Sequence, residues 1–134
     1  MAYWLLKTEP DVFSWHDQVA RGAHGEPWSG VRNHQAKNYI KTMIAGDQAF
    51  IYHTSSHREI VGIVDIVTEP YPDPTDANWF AVTTVASLHL PAPVTLAQIK
   101  ATPALANMAL IKQSRLSVQP VSDAEWGIIL ELGR

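Results

Sequence analysis

The sequence of 134 residues contains no cysteine. This absence excludes a disulfide framework, a thiolate metal site and a cysteine nucleophile together. A chain without cysteine is compatible with a reducing compartment. We therefore take a cytoplasmic location as the default expectation.

Long hydrophobic runs are also absent. The longest, Ile60–Val64, falls far short of the ~20 residues that span a bilayer, and Met1–Lys7 lacks the basic segment that opens a secretory signal. We expect a soluble, unprocessed chain with no membrane partner. Its length and its hydrophobic content of 46% suit one compact domain, so we predict a single domain over residues 1–134.

Positive charge is scarce, because 10 Lys and Arg residues stand against 13 Asp and Glu residues and give a net charge of −3. A protein that holds nucleic acid mainly by releasing counterions needs many basic residues on one face. The distribution is uneven, however: residues 28–58 include four basic residues and one acidic residue, whereas residues 59–76 include five acidic residues and no basic one. If the first group shares a face with Lys7, Lys112 and Arg115, a local basic rim forms, although an ordinary mixed surface is the simpler interpretation.

Runs of β-branched and aromatic residues predict five strands. Glu59–Thr68 is nearly unbroken apolar sequence, which indicates a central strand covered on both faces. The other strands are expected at residues 2–7, 47–54, 80–90 and 115–120.

Capping signals predict the helices that lie between these strands. The clearest helix follows Asn33, because its apolar residues recur at helical spacing and form one buried stripe that Gly46 ends: Ala36, Tyr39, Ile40 and Met43. Three further helices are expected after the capping residues Ser14, Thr95 and Ser122, and a fifth at residues 104–112. Arg21–Pro27 and the proline-rich Pro70–Asp76 are predicted as loops. Strands among unevenly spaced helices, without regular alternation, indicate an α+β fold with a small curved sheet or barrel.

One turn, Trp28–Asn33, combines an indole, a guanidinium and an amide immediately before the amphipathic helix. A flat ring beside planar hydrogen-bonding groups can hold a nucleobase, so we assign Trp28 to a pocket. The positive Arg32 guanidinium gains little from the helix dipole at an N-terminus, because that end is also positive. A phosphate, a base edge or a nearby carboxylate would explain its position. Asn33 is already explained as a helix cap. The other tryptophans are assigned to the core: Trp4, Trp15, Trp79 and Trp126.

Seven short motifs stand in order along the chain: Tyr3–Pro10, Trp28–Asn33, Gly46–Asp47, Tyr52–His53, Gly62–Ile63, Tyr71–Thr75 and Ser114–Val118. In this order, and over essentially the whole chain, they resemble the EVE domain family. The resemblance implies a PUA-like fold, in which a curved or barrel-shaped β-sheet is flanked by several helices, shared with the YTH readers of methylated adenine in RNA. It also implies nucleobase binding, with modified cytosine in DNA as the favoured ligand and other modified bases as further ligands.

Position by position, the resemblance implies a site in which Trp28 stacks on or cages the base. The other implied contacts are the turn (Gly30, Val31, Arg32 and Asn33), the end of the first strand (Lys7 and Thr8), the opposite wall (Tyr52, His53 and Ser55), the loop beneath (Tyr71 and Asp73) and the return strand (Ser114 and Arg115). Tyr52 and His53 alternate along one strand, so only one of them points into the cleft unless a bulge intervenes. Phe13 stands where many relatives have tyrosine.

Other chemistries have weaker support in the sequence. His53 and His57 are four residues apart but flank a turn and lack a third ligand, so we expect no metal site and no cofactor. Ser55 or Ser114 could be combined with His53 and Asp73 into a hydrolytic triad. The sequence has no Gly-x-Ser-x-Gly nucleophile elbow, however, so we identify no catalytic residue. The alternatives to a reader of modified DNA are an RNA-binding PUA-like module, a nucleotide-processing enzyme using His53 or Asp73, and a module whose basic rim binds an acidic protein.

Overall fold

The computed structural model describes all 134 residues, and its regular elements are eight strands and five α-helices. The strands are β1 (Tyr3–Thr8), β2 (Glu26–Pro27), β3 (Gln48–His53), β4 (Glu59–Ile66), β5 (Tyr71–Asp73), β6 (Asp76–Ala81), β7 (Thr83–Thr95) and β8 (Val118–Val121). The helices are α1 (Trp15–Ala20), α2 (His34–Thr42), α3 (Leu96–Lys100), α4 (Ala109–Lys112) and α5 (Asp123–Leu132). None of these helices has the length and apolar character that crossing a membrane requires.

Six of the strands form one curled, mixed sheet with the order β2-β7-β4-β3-β1-β8, and β5 pairs with β6 in a separate hairpin. β1 and β3 are parallel, and every other neighbouring pair is antiparallel. The register shifts within both the β3–β4 and β4–β7 pairs. Such bulges increase the local twist and bend the sheet.

Both faces of the sheet are covered, because successive strand residues point to opposite sides. On β1, Trp4 and Leu6 join the apolar cluster beneath α1 and α2, whereas Leu5 joins the cluster beneath α3, α4 and α5. On β4, Val64 belongs to the first cluster and Ile63 to the second. The predicted central strand is therefore confirmed, since β4 lies between β3 and β7 and is buried on both sides.

The predicted helix starts are confirmed by hydrogen bonds. Ser14, Thr95 and Ser122 each accept from the backbone three residues on, and the residue at that position returns a side-chain bond to the cap. Asn33 Oδ1 accepts from the Ala36 backbone N–H at 2.9 Å and begins α2. These reciprocal bonds satisfy N–H groups that have no partner within the helix.

The prediction that Pro70–Asp76 is an irregular loop is wrong, because the segment forms most of the β5–β6 hairpin. Pro72 pairs with Phe80 at a strand that has a free outer edge, where the missing N–H costs no ladder hydrogen bond. Asp73 Oδ1 accepts from the Thr75 backbone N–H at 2.7 Å and closes the turn. Proline content therefore indicated an edge strand here.

The predicted loop Arg21–Pro27 also contains regular structure. A single 3₁₀ turn, Gly22–His24, leads into β2, which pairs with β7. Gly25 permits this pairing, because a Cβ there would lie 2.6 Å from the Thr84 carbonyl oxygen. Glycine here indicated a close backbone approach as well as a turn.

Three further predictions about element bounds are corrected. The helix expected over residues 104–112 is a 3₁₀ turn, Pro103–Leu105, followed by the short α4, because Met108 between them is extended. The strand expected over 115–120 begins at Val118. The strand expected over 80–90 is divided at Val82, whose carbonyl accepts a 2.8 Å hydrogen bond from the Trp28 backbone N–H.

Three of the four tryptophans assigned to the core are buried there: Trp4, Trp15 and Trp126. The assignment of Trp79 is wrong. Its ring is half-buried at the surface, 5.0 Å from the His34 ring, with the Arg32 guanidinium at 5.5 Å and the Lys37 ammonium at 5.2 Å. Cations at such distances are attracted by the indole face, which explains an aromatic that stays outside the core.

Gly62→Ala is expected to lower the free energy of unfolding by about 2 kcal/mol, because overpacking a dense core forces side chains to move. A Cβ at Gly62 would lie 2.5 Å from the Trp15 ring. Urea unfolding followed by tryptophan fluorescence measures the loss. Gly127→Ala is the matched control, since its Cβ meets nothing and alanine favours a helix by about 1 kcal/mol. Equal stability of the Gly62 variant and the wild type would contradict this packing.

Candidate nucleic-acid interface

A cavity of about 580 Å³ lies where the turn before α2 meets the end of β1. This volume falls within the range of small-ligand sites. The whole turn from Trp28 to Asn33 lines it, together with Lys7 and Thr8 of β1. Its large apolar side chains come from Val12, Phe13, Trp28 and Val31, and most of the other lining residues are polar or charged.

Trp28 belongs both to the core and to the cavity wall. Its residue is 8% exposed and packs within the cluster beneath α1 and α2, so most of the ring is covered by neighbouring side chains. The Phe13 ring stands edge-on to it at 6.0 Å, and the Arg21 guanidinium covers the Phe13 ring at 5.4 Å. The Trp28 indole N–H has no protein acceptor and is not sealed, because Gln119 Oε1 is the only fully buried side-chain polar atom left unpaired. That donor therefore keeps some exposure although the residue is largely buried.

Asp73 holds the turn in place from behind the cavity. Its Oδ2 accepts from the Gly30 backbone N–H at 2.8 Å and from Arg32 Nη1 at 3.1 Å, while Oδ1 accepts from the Thr75 N–H at 2.7 Å and hydroxyl at 2.6 Å. Gly30 has φ +81°, which glycine adopts without strain. The hairpin of β5 and β6 thus fixes the backbone that forms the pocket.

The electrostatics of Asp73 follow from these bonds. Burial raises the pKa of this carboxyl, but the bonds from Thr75, Gly30 and Arg32 favour the charged form more strongly and hold the pKa well below its usual range. Arg32 also donates to the Thr75 hydroxyl at 2.7 Å. Of the partners that the sequence left open for Arg32, the structure supplies a carboxylate.

The polar groups along the cavity differ in how much of their hydrogen-bonding capacity remains. Thr8 donates its hydroxyl to the Phe13 carbonyl at 2.7 Å, and Lys7 Nζ donates to the Ser114 carbonyl at 2.7 Å. Asn33, which lines the cavity, uses its oxygen to cap α2, and its amide N–H groups have no protein acceptor. Donors and apolar surface are therefore combined in one recess.

The family model described as EVE domain matches residues 2–132. The chain belongs to the EVE domain family. Rpa0253 from Rhodopseudomonas palustris, solved by NMR, is 55% identical with a TM-score of 0.95, covering 99% of this chain and 93% of that one. Thymocyte nuclear protein 1 of Gallus gallus is 33% identical over 97% of this chain and 68% of its own length. The crystal structure of human THYN1 protein in complex with 5-methylcytosine containing DNA is 29% identical, with a TM-score of 0.93, over 100% and 98% of the two chains.

The expected α+β, PUA-like fold of an EVE domain is confirmed by this architecture and by these structural neighbours. Of the site residues that the sequence predicted, the fold brings seven to the 580 Å³ cavity: Lys7, Thr8, Trp28, Gly30, Val31, Arg32 and Asn33. Their role in binding remains a prediction. Their clustering follows from β1 and the turn before α2 meeting at one end of the sheet.

Four other predicted residues of the EVE domain line neighbouring grooves. Tyr52 and Ser55 line a groove that shares Lys7 with the cavity, Arg115 lines a second groove that shares Asn33 with it, and Ser114 lines both grooves. Burial raises the pKa of the Tyr52 phenol. These residues adjoin the cavity without forming its wall.

The last three predicted residues lie outside the cavity. Asp73 acts from behind it, and the Tyr71 hydroxyl forms a 2.8 Å hydrogen bond with the Thr83 hydroxyl. His53 Nε2 accepts from the Trp15 backbone N–H at 3.0 Å, at the start of α1. Burial lowers the pKa of His53, and nearby His57 lowers it further, so the neutral ring that this bond needs is favoured. Tyr52 and His53 still face opposite sides of β3 despite the bulge at that position.

Sequence reasoning missed several wall residues of the EVE domain, namely Val12, Phe13, Arg21, Glu26, Pro27, Ser29 and Ser117. Phe13 gave a weak signal, because an aromatic beside a helix cap is commonly a local packing contact. Arg21 and Glu26 are joined by a 2.9 Å ion pair across the segment predicted as a loop. Only the pairing of β2 with β7 brings that segment to the cavity.

Proposed function

We propose that this EVE domain binds DNA and receives an extruded, modified cytosine in the cavity beside Trp28. The observation that carries the proposal is the 580 Å³ recess formed by the turn from Trp28 to Asn33, the segment that also resembles the family's base-binding turn. The crystal structure of the similar human THYN1 protein with 5-methylcytosine containing DNA supports the choice of ligand.

The chemistry of the lining fits a pyrimidine. Extruding a base from a duplex costs a few kcal/mol, which stacking of about 1–3 kcal/mol per base and hydrogen bonds to its edge must offset. The Trp28 indole N–H and the Asn33 amide are donors for the carbonyl and ring-nitrogen acceptors of cytosine. Val12, Phe13 and Val31 provide apolar surface for an added methyl group, whose burial contributes about 0.8 kcal/mol.

We also propose that the domain acts by binding rather than catalysis. The two groups that a nucleotide-processing reaction would use are already engaged. The Asp73 carboxylate accepts four hydrogen bonds, and His53 Nε2 accepts one from the backbone of α1. A general base needs a free lone pair within reach of its substrate. Turnover of any nucleoside by the purified protein, abolished by His53→Ala, would contradict this part of the proposal.

The ligand is tested by titrating purified protein with duplexes that carry plain, methylated or hydroxymethylated cytosine or methylated adenine, and with the matching RNA. We expect the tightest binding to duplex DNA with a modified cytosine. Stronger binding to RNA, or equal affinity for modified and plain duplexes, would overturn the proposed ligand.

The pocket is tested by Ser117→Phe, which places a ring at a half-buried wall position. Loss of the space for one stacked base should weaken binding of methylated DNA by roughly 5- to 150-fold, the equivalent of about 1–3 kcal/mol. Ser87→Phe adds the same ring at an exposed position on β7 that does not line the cavity, and serves as the control. Unchanged affinity in the Ser117 variant would place the base elsewhere.

A further inference from the structure

Most of the unpaired positive charge of this acidic protein adjoins the base cavity. Three of the ten Lys and Arg side chains form ion pairs with carboxylates. Five of the other seven line two grooves beside the cavity: Lys7, Arg58, Lys100, Lys112 and Arg115. The remaining two, Lys37 and Lys41, extend from α2 over the Phe80 ring at 5.8 and 5.3 Å.

The first groove, of about 330 Å³, lies between the β3–β4 turn and α3. Lys7, Arg58 and Lys100 contribute its charges, and no carboxylate lines it. Arg58 Nε donates to the Ser55 carbonyl at 3.2 Å, which steadies the side chain and leaves the terminal guanidinium nitrogens without a protein acceptor. A groove whose only charged residues are cations favours a polyanion.

The second groove, of about 350 Å³, lies between the start of α2 and the segment that joins α4 to β8. Its charged residues are Lys112 and Arg115, both exposed, and its other polar lining includes the amides of Gln35 and Gln113. This groove also has no carboxylate. Amide N–H groups and cations together are the usual partners of phosphate oxygens.

Each groove shares one lining residue with the base cavity. Lys7 lines the cavity and the first groove, Asn33 lines the cavity and the second groove, and Ser114 lines both grooves. Lys7 Nζ donates to the Ser114 carbonyl at 2.7 Å, so a residue of the cavity wall is bonded to the residue that the two grooves share. Its partner there is a neutral carbonyl, and burial lowers the pKa of this ammonium, so an approaching anion would favour the charged form.

We propose that the sugar–phosphate backbone on the two sides of the extruded base runs through these two grooves, with phosphates bound by Lys7, Arg58 and Lys100 on one side and by Lys112 and Arg115 on the other. This inference rests on the proposed function, because a base in the cavity stays covalently attached to its strand. Its flanking phosphates must therefore pass the cavity wall, and Lys7 and Asn33 are the wall residues that also line a groove. Phosphate contacts fix the position of the strand, while the cavity reads the base.

The test compares three charge-neutralising double variants: Arg58→Gln with Lys100→Gln, Lys112→Gln with Arg115→Gln, and Lys37→Gln with Lys41→Gln. The last removes the same charge from α2 and is the matched control. Each protein is titrated with one duplex carrying a single 5-methylcytosine, from about 50 to about 300 mM salt. Because the groove residues replaced are exposed, we expect thermal midpoints within about 2 °C of the wild type.

Each groove variant should bind about tenfold or more weakly at the lowest salt, and the slope of log affinity against log salt should become shallower by about 2, because each lost phosphate contact removes about 0.9. The α2 variant should keep the wild-type slope. Unchanged slopes in both groove variants, or an equal loss in the α2 variant, would overturn the inference.

A separate readout distinguishes failure of the proposed function. The ratio of affinities for methylated and plain duplexes depends on the cavity, so groove variants should keep the wild-type ratio. A wild-type ratio of one would overturn modified-base recognition, yet altered slopes would still support the grooves. Tighter binding of a poly-glutamate peptide than of DNA, lost in the same groove variants, would instead assign the grooves to an acidic protein.

Discussion

Replacing Trp28 with alanine is expected to lower the free energy of unfolding by about 3–5 kcal/mol and to abolish the preference for modified cytosine. The large stability cost follows from burial, because the residue is 8% exposed and packs in the same cluster as Val31 and Ala36. The loss of preference follows from its place in the cavity wall. Chemical denaturation measures the first effect, and titration with methylated and plain duplexes at a temperature where the variant stays folded measures the second.

Trp28→Phe separates the two roles. Phenylalanine keeps an aromatic ring in the core, so the stability loss should fall to about 1–2 kcal/mol, but it removes the indole N–H that has no protein acceptor. We therefore expect a stable protein with weaker binding of the modified base. Trp4→Phe is a suitable comparison, because it also removes an indole N–H. That N–H donates to Asp47 at 3.0 Å, and Trp4 does not line the cavity. If the Trp28→Phe protein kept the full preference for methylated over plain duplexes, the Trp28 indole N–H would have no role in base recognition.

Replacing Asp73 with asparagine is expected to cost about 3 kcal/mol at neutral pH. The carboxylate side chain is fully buried and accepts from the backbone N–H groups of Gly30 and Thr75, which the amide cannot reproduce together. Arg32 is 38% exposed, so water screens part of that ion pair and the backbone bonds account for most of the loss. Because Asp73 fixes the turn, binding of modified DNA should also weaken by at least about tenfold.

The cost of this substitution should depend on pH. The folded protein holds the pKa of Asp73 below its ordinary value of 3.8, so its stabilising contribution is complete above that value and is lost progressively as pH falls below it. The stability difference between the wild type and the Asp73→Asn variant should therefore narrow steadily as pH falls below about 4. Asp76→Asn, in the same hairpin, controls for the charge change because Asp76 accepts one hydrogen bond, from Asn78. A stability difference between the wild type and the Asp73→Asn variant that stays constant down to acid pH would contradict the stabilising role of the ionised carboxylate.

The local features of the fold were predictable because their causes are local. Each cap predicted at Ser14, Thr95 and Ser122 depends on two side chains three residues apart, and each forms as expected. The apolar run of β4 likewise indicated burial on both faces. The elements that sequence reasoning misjudged depend on distant partners: β2 exists because it pairs with β7, and β5 because it pairs with β6.

The candidate site likewise contains some features that depend on neighbouring residues and others that depend on distant ones. The turn from Trp28 to Asn33 was identifiable from its residue types and their order, and it lines the cavity throughout. Phe13 and Ser117 were not identifiable, since they approach the turn only through the contacts of β1 and α1. His53 and Tyr71 were expected at the base, yet their polar atoms bond to Trp15 and Thr83. Alternation along a strand gives the face of a side chain but not its partner.

The sequence by itself determined the family, the α+β class, the helix starts and the segment that forms the turn, because motif order, periodicity and capping are properties of neighbouring residues. Tertiary structure alone decided that Trp28 serves the core and the cavity at once, that Asp73 anchors the turn from behind, and that scattered cations such as Arg58 and Lys112 line grooves beside one recess. The physical reason is that hydrogen bonds, burial and charge act through space, and the pairing of distant strands sets which residues share that space.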